Sequence, residues 1–189
     1  MLNQKEMYGK DEEKDINLLL SRVKKNPNHF KDKILQKLKE FSDEFENVKQ
    51  SPNTRNTEFN NYCMFFGQIF EFFPKELKFI LEALMQTYET LKSNLHPLTR
   101  YKIIHTLLVV QKKGYVNFID TLQFFVEIFG FPDKALRQLI FDHLFHYIKN
   151  LKRKKKLAGL ETARYVIPAP IFDTINNTKD RRNNTTGQG

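Results

Sequence analysis

Apolar residues recur every three or four positions through most of the chain, with lysine and glutamate between them. The pattern is clearest between residues 28 and 49, where the apolar positions are Phe30, Ile34, Leu38, Phe41 and Phe45. This spacing gathers apolar side chains on one face of a helix. No stretch sustains the period-of-two alternation that is typical of a half-buried strand. The pattern predicts an all-α fold.

Prolines mark where the helices begin. Proline is well tolerated at the first helical position, because its missing N–H would have no partner there. Five of them stand near the start of a periodic segment: Pro27, Pro52, Pro74, Pro97 and Pro132. Together these marks and the periodicity predict about seven helices, over residues 12–25, 28–49, 58–73, 74–92, 97–112, 118–129 and 132–155.

Short connections between long helices favour antiparallel neighbours. The third and fourth helices, and then the fifth and sixth, form units of about 35 to 40 residues, the size of a HEAT- or armadillo-like helix pair. We therefore expect antiparallel pairs stacked as a HEAT/armadillo-like solenoid over residues 12–156, with a closed bundle as the alternative. Residues 1–11 are expected to be flexible. Residues 157–189, which end in a run of Asn and Thr, are expected to form a disordered basic and polar tail.

Composition narrows the classes of protein. Seven glycines leave no Gly-x-Ser-x-Gly elbow and no phosphate-binding glycine loop. One cysteine, Cys63, excludes an internal disulfide and lies in an apolar run typical of a buried thiol. The longest aliphatic stretch, residues 103–110, is far shorter than the ~20 residues of a membrane span. Without a signal-peptide pattern at its start, the chain is expected to be soluble and intracellular, with no membrane partner.

Positive charge is concentrated near the end of the chain. From residue 149 to residue 189 there are ten Lys/Arg and three Asp/Glu, a balance of +7 out of a total of +9. Six of these cations lie within eight residues: Lys149, Lys152, Arg153, Lys154, Lys155 and Lys156. Such a run predicts binding to RNA phosphates or to an import receptor. The alternative is a frayed helix end whose lysines face the negative end of the helix dipole.

Candidate catalytic chemistry is scarce. His143 and His146 are three residues apart, which suits two ligands of one metal, but the sequence places no third ligand beside them. Half-buried histidines are the better interpretation, and the same holds for His105. We expect a protein without catalytic residues, metal, cofactor or small-molecule substrate, and therefore not an enzyme.

Four blocks of sequence occur in an order that resembles one known family. They are Leu18–Phe30 with its Lys-Lys-Asn-Pro turn, Met64–Gln68 leading to Phe73–Leu77, Leu98–Arg100 followed by Leu107–Val109 and Lys112-Lys113, and Asp133–Arg137 followed by His143 and Ile148–Asn150. Together they resemble the N-terminal region of the severe-depolymerization-of-actin protein family over about residues 15–156.

The resemblance implies a non-enzymatic helical-repeat scaffold of the nucleus and nucleolus. It implies association with precursors of the large ribosomal subunit (pre-60S particles, protein and rRNA) and a need for the protein in their maturation and nuclear export. The signature residues, with a structural or partner-binding role, are Asp133, Lys134, Arg137, His143 and Asn150. The competing hypothesis is a cytoplasmic helical adaptor that binds a protein partner and is linked to actin organisation.

Overall fold

The computed structural model describes the backbone of residues 4–178 and the side chains of residues 15–117 and 119–178. Within these residues the chain forms α-helices and two short 3-10 turns, with no strand. The helices are α1 (Gln4–Lys25), α2 (Lys31–Gln50), α3 (Thr57–Ile69), α4 (Pro74–Leu91), α5 (Pro97–Lys112), α6 (Phe118–Glu127), α7 (Lys134–Arg153), α8 (Leu157–Val166) and α9 (Ala169–Asn177). The all-α prediction is confirmed, and none of these helices is long and apolar enough to cross a bilayer.

Most helix boundaries match the sequence prediction, but α3 is shorter than predicted. It ends at Ile69, and residues 70–73 form a turn in which the Phe72 and Phe73 amides donate to the carbonyls of Ile69 and Phe70. Pro74 explains the difference, because the residue before a proline is sterically disfavoured in the helical conformation. A new helix, α4, then begins at Pro74 itself.

Both ends of the chain are more helical than predicted. The first helix was predicted from residue 12, whereas α1 begins at Gln4. The expected flexibility of residues 1–11 stays a prediction. The segment 157–189 was expected to be disordered, yet it forms α8 and α9 up to Asn177. Over residues 157–177 the prediction of a disordered tail was wrong. The polar composition after residue 176 had suggested disorder, whereas Ala163, Ile167, Phe172 and Ile175 are buried. Residues 179–189 lie outside the described part of the chain.

The chain divides into two compact units, one up to Val116 and the other from Asn117. In the first unit, α1 and α5 both pack on α3. The Gln68 side chain at the end of α3 accepts a hydrogen bond from Lys24 of α1 (3.2 Å), and the Gln68 carbonyl accepts one from Lys113 after α5 (2.6 Å). The three helices therefore run parallel, with their carboxyl ends together.

Aromatic side chains join α2 to α3. The Phe41 ring stacks on Phe59 (5.3 Å between centroids) and meets Phe66 edge-on (5.4 Å), while Phe45 lies against Phe59 (5.7 Å). Positions rise along α2 as they fall along α3, so the two helices are antiparallel. The predicted pairing of the third helix with the fourth was wrong. The predicted pairing of the fifth with the sixth stays a prediction. Extensive packing joins α2 to α3 and α4 to α5, because the apolar faces decide the partners and the connection length does not.

The second unit is built around α7. Its buried residues follow one helical stripe: Leu136, Ile140, Leu144, Ile148 and Leu151. α8 packs against both α6 and α7, and α9 packs against α7. The approach of α7 and α8 is close at Gly159, where a side-chain Cβ would lie only 3.2 Å from a Leu151 methyl carbon. That contact positions the turn between α7 and α8, which holds most of the predicted basic run.

Candidate nucleic-acid interface

The turn after α7 has the hydrogen bonds of a Schellman motif. The Lys156 amide donates to the Leu151 carbonyl and the Lys155 amide to the Lys152 carbonyl, both at 3.0 Å. Lys155 has a φ of 53°. This left-handed position is normally occupied by glycine, since any Cβ costs about 1–2 kcal/mol there. The sequence thus keeps a cation at a position that favours glycine.

The predicted basic run separates into two groups. Lys149 and Lys152 are half-buried, and their ammonium groups donate to the Thr178 carbonyl (2.7 Å) and the Asn176 side-chain oxygen. Lys149 also lies over the Phe145 ring, 5.4 Å from its centroid. Both acceptors stand at the carboxyl end of α9, the negative end of its dipole. These two lysines therefore hold α9 against α7.

The other four cations are exposed: Arg153, Lys154, Lys155 and Lys156. Arg153 also donates to the Asn150 side-chain oxygen at 3.0 Å, which ties it to its own helix. Four consecutive cations in an ordered turn form a compact positive site, which we call the basic turn. Compact positive charge of this kind suits phosphate groups. The alternative interpretation, cations that face the negative end of the α7 dipole, also applies to these four residues, since they lie at the carboxyl end of α7.

Two exposed apolar residues near this site lie on α8, which sequence reasoning had treated as disordered. Leu157, 70% exposed, directly follows the basic turn, and Tyr165, 92% exposed, lies two turns further along α8. A signal for this helix was present in the spacing of Leu160, Ala163 and Ile167.

The signature residues are distributed between structural and exposed positions. Asp133 caps α7, its carboxylate accepting a hydrogen bond from the Leu136 amide at 3.1 Å. Arg137 donates to the Phe131 carbonyl at 3.2 Å, and Asn150 is the acceptor for Arg153. Lys134 is exposed on the first turn of α7. These contacts give Asp133, Arg137 and Asn150 local structural roles, and a partner-binding role for Lys134 stays a prediction.

The histidines are dispersed among aromatic neighbours. His143 is half-buried, with its ring 6.2 Å from that of Phe125, while His146 is exposed beside Phe145. His105 stacks on Tyr101 at 6.0 Å. Within the described residues, no group of three or more His, Cys, Asp or Glu side chains is arranged to hold a metal ion. Cys63 is fully buried, as predicted, and this burial raises the pKa of its thiol.

Comparison with known proteins decides the family. The model of the family described as "SDA1, HEAT repeat" matches residues 65–185, well over half of the chain. The chain belongs to the SDA1 family. This is the family of the sequence resemblance, and the match confirms the helical-repeat class. It also extends past residue 156, where the sequence resemblance had stopped, so α8 and α9 belong to the family region.

Curated SDA1 relatives cover a similar part of the chain. It is 26% identical to Protein SDA1 homolog of Xenopus tropicalis over 134 residues, 71% of this chain and 19% of that protein. It is 26% identical to the homolog of Drosophila melanogaster over 137 residues, with the same shares. The homolog of Dictyostelium discoideum is 23% identical over 142 residues, 75% of this chain and 19% of that protein. The chain thus spans about a fifth of the length of these relatives.

Proposed function

We propose that this SDA1-family chain is a non-enzymatic scaffold in the biogenesis of the large ribosomal subunit. In this role it associates with pre-60S particles in the nucleolus and nucleus and is needed for their maturation and nuclear export. The observation that carries the proposal is the basic turn, Arg153–Lys156, exposed at the end of α7 within a family-specific helical repeat. Ribosomal RNA is the polyanion that such a turn would meet on the particle.

The chemistry of docking follows from the geometry of the turn. Its backbone is fixed by the bonds from Lys155 and Lys156 back to α7, so the four cations project from an ordered platform. Pre-ordering lowers the entropy lost when they meet phosphates. Each phosphate contact releases condensed counterions and contributes a salt dependence of about −0.7 in log K per log salt for single strands. Shape-specific contacts of the helical surface then supply affinity that salt does not remove.

The same four cations suit an import receptor. Import receptors bind runs of Lys and Arg, so the receptor and RNA would bind the same surface of the chain. The two partners would then exclude one another, so the receptor is released where RNA is abundant. Nuclear localisation and particle association are therefore separate measurements on the same residues.

A cytoplasmic adaptor that binds a partner helix is the competing function. That role would be favoured by a continuous apolar surface without a basic rim. Among the described side chains of the second unit, the large apolar residues that are exposed are Leu157 and Tyr165, and Leu157 directly follows the last cation of the basic turn. This neighbourhood supports the RNA-associated function over the adaptor.

Sedimentation of the tagged chain from cell extract through a sucrose gradient tests the proposal. We expect it to co-migrate with large-subunit precursors at low and at moderately high salt, because shape-based contacts survive screening. A light, particle-free peak at both salts would contradict it and favour the adaptor. Co-migration at low salt alone would show that the chain binds the particle only through non-specific charge attraction. That result would also contradict the proposed docking scaffold.

A further inference from the structure

A groove runs across α1, α3 and α5 of the first unit, far along the chain from the basic turn. Its volume is about 160 Å³. Ile16 and Phe65 form a buried apolar floor. The remaining lining is largely polar and comes from all three helices: Asn17, Leu20, Asn61, Met64, Gln68 and Lys102. The groove thus combines a small apolar floor with polar groups that converge from three helices.

Three of the polar groups have no partner among the described residues. The carboxamides of Asn17 and Asn61 and the ammonium group of Lys102 make no hydrogen bond or ion pair there, in contrast to the Gln68 carboxamide, which binds Lys24. Lys102 and Asn61 are half-buried. A ligand that pairs with these groups would replace their contacts with water by hydrogen bonds in a partly enclosed site.

The charge of Lys102 acts inside the unit. After burial itself, the nearby Lys102 ammonium group is the second cause that lowers the pKa of His105. It also favours the thiolate of Cys63 on α3, although burial dominates and the pKa of that thiol is raised. Lys102 therefore contributes a local positive potential at the α3–α5 side of the groove. A carboxylate placed there would be attracted in surroundings that screen charge less than bulk water does.

We propose that this groove binds an extended, acidic peptide segment of a partner protein, with its backbone on Asn17 and Asn61 and a carboxylate side chain on Lys102. A primary carboxamide both donates and accepts, so it can pair with the N–H and C=O of one peptide unit. The apolar floor accommodates an aliphatic side chain between these contacts. A single cation over an apolar floor suits one carboxylate on an aliphatic stem better than it suits the successive phosphates of RNA.

The spacing of the helices agrees with an extended strand. Packed helices lie about 8–10 Å apart, and an extended chain advances about 3.3 Å per residue. Carboxamides on neighbouring helices are thus separated by about three peptide residues. The ligand class is therefore a short segment with one acidic residue near one end.

Selection from a displayed library of random eight-residue peptides tests this inference on the full chain. We expect the enriched peptides to share an Asp or Glu at one position, and Lys102→Glu to replace that preference with Lys or Arg. A labelled enriched peptide should bind Asn61→Ala about fivefold more weakly by fluorescence anisotropy. The proposal would be overturned if no peptide were enriched. It would also be overturned if the unchanged chain and the Lys102→Glu variant enriched the same peptides.

Lys78→Glu is the matched control, since Lys78 is an exposed lysine on α4 of the same unit and lies outside the groove lining. It makes the same charge change and should leave the peptide preference intact. Binding of a labelled ten-nucleotide oligouridylate tests whether RNA occupies the groove instead. If Lys102→Glu weakens oligouridylate binding more than Lys78→Glu does, RNA occupies the groove and the peptide proposal is wrong. Circular dichroism of both variants checks that the helices are retained.

Discussion

The Lys149 ammonium group lies 2.7 Å from the carbonyl oxygen of Thr178, the residue that directly follows α9. This contact assigns a lysine of the basic run to the interior of the second unit. It joins the middle of the longest buried stripe to the last described helix and neutralises the negative end of that helix. Charge in the sequence is therefore not equivalent to charge available to a partner.

Replacing this lysine should destabilise the second unit. Lys149→Met keeps most of the apolar stem over Phe145 but removes the hydrogen bond to Thr178. We expect a loss of about 1 kcal/mol in the free energy of unfolding, reduced from the value of a buried charged bond because the site is half-exposed. Urea unfolding followed by circular dichroism measures it. Lys154→Met, at an exposed position, is the control and should change the free energy by less than about 0.5 kcal/mol.

Glycine at position 155 should stabilise the protein. Lys155 has a positive φ, and Lys155→Gly removes the steric cost of a Cβ in that conformation. We expect the glycine variant to exceed Lys155→Ala by about 1 kcal/mol in thermal or urea unfolding, since both lack the cation and only alanine retains the Cβ. Equal stability of the two variants would show that the Lys155 conformation carries no strain.

The cap of α7 gives a test of the signature residue Asp133. Asp133→Ala removes the acceptor of the Leu136 amide and should cost about 1 kcal/mol, whereas Asp133→Asn keeps an acceptor oxygen and should cost little. If Asp133→Asn retains stability but loses particle association, the carboxylate binds a partner as well as capping the helix. Retention of both would limit Asp133 to its structural role.

Stability in the first unit should depend on pH through Glu40. Burial alone would raise the pKa of Glu40, but hydrogen bonds from Lys37 (2.8 Å) and Tyr62 (2.6 Å) outweigh it and lower the pKa below 4.5. A lowered folded-state pKa adds stability above the unfolded-state value, and protonation removes it as pH falls through the folded-state value. We therefore expect Glu40→Gln to be less stable than the wild type at pH 7. The difference should shrink below pH 4.5. A constant difference across that range would contradict the ionised hydrogen-bonded state.

Helical periodicity sufficed for the first seven helices, because their apolar stripes are long and their starts are marked by proline or capping residues. It did not give the pairing of the helices. Phe41 of α2 contacts Phe59 and Phe66 of α3. Which helix packs on a given face of α3 depends on the tertiary structure, and the local sequence pattern does not determine it. The helices α8 and α9 were missed because a polar sequence after residue 176 outweighed the short stripe at Ala163, Ile167, Phe172 and Ile175.

The candidate site could be predicted only in part. The sequence located the basic run, and the family resemblance attached a function to it. Whether each cation is exposed depends on α9, whose carboxyl end is brought to Lys149 and Lys152 by tertiary packing. The groove across α1, α3 and α5 could not be predicted, for a similar reason. Asn17, Asn61 and Lys102 are distant in sequence and line one groove only in the folded unit.

Particle association of a variant without the basic turn is the most direct test of the proposed docking. Arg153, Lys154, Lys155 and Lys156 would all be replaced by Ala, and the control would remove four exposed lysines of the first unit: Lys39, Lys75, Lys78 and Lys92. Sucrose-gradient sedimentation should show less of the basic-turn variant on the large-subunit precursors, with binding about tenfold weaker and a shallower salt dependence. The control should stay on the particle. Equal retention of both variants would contradict docking through the basic turn.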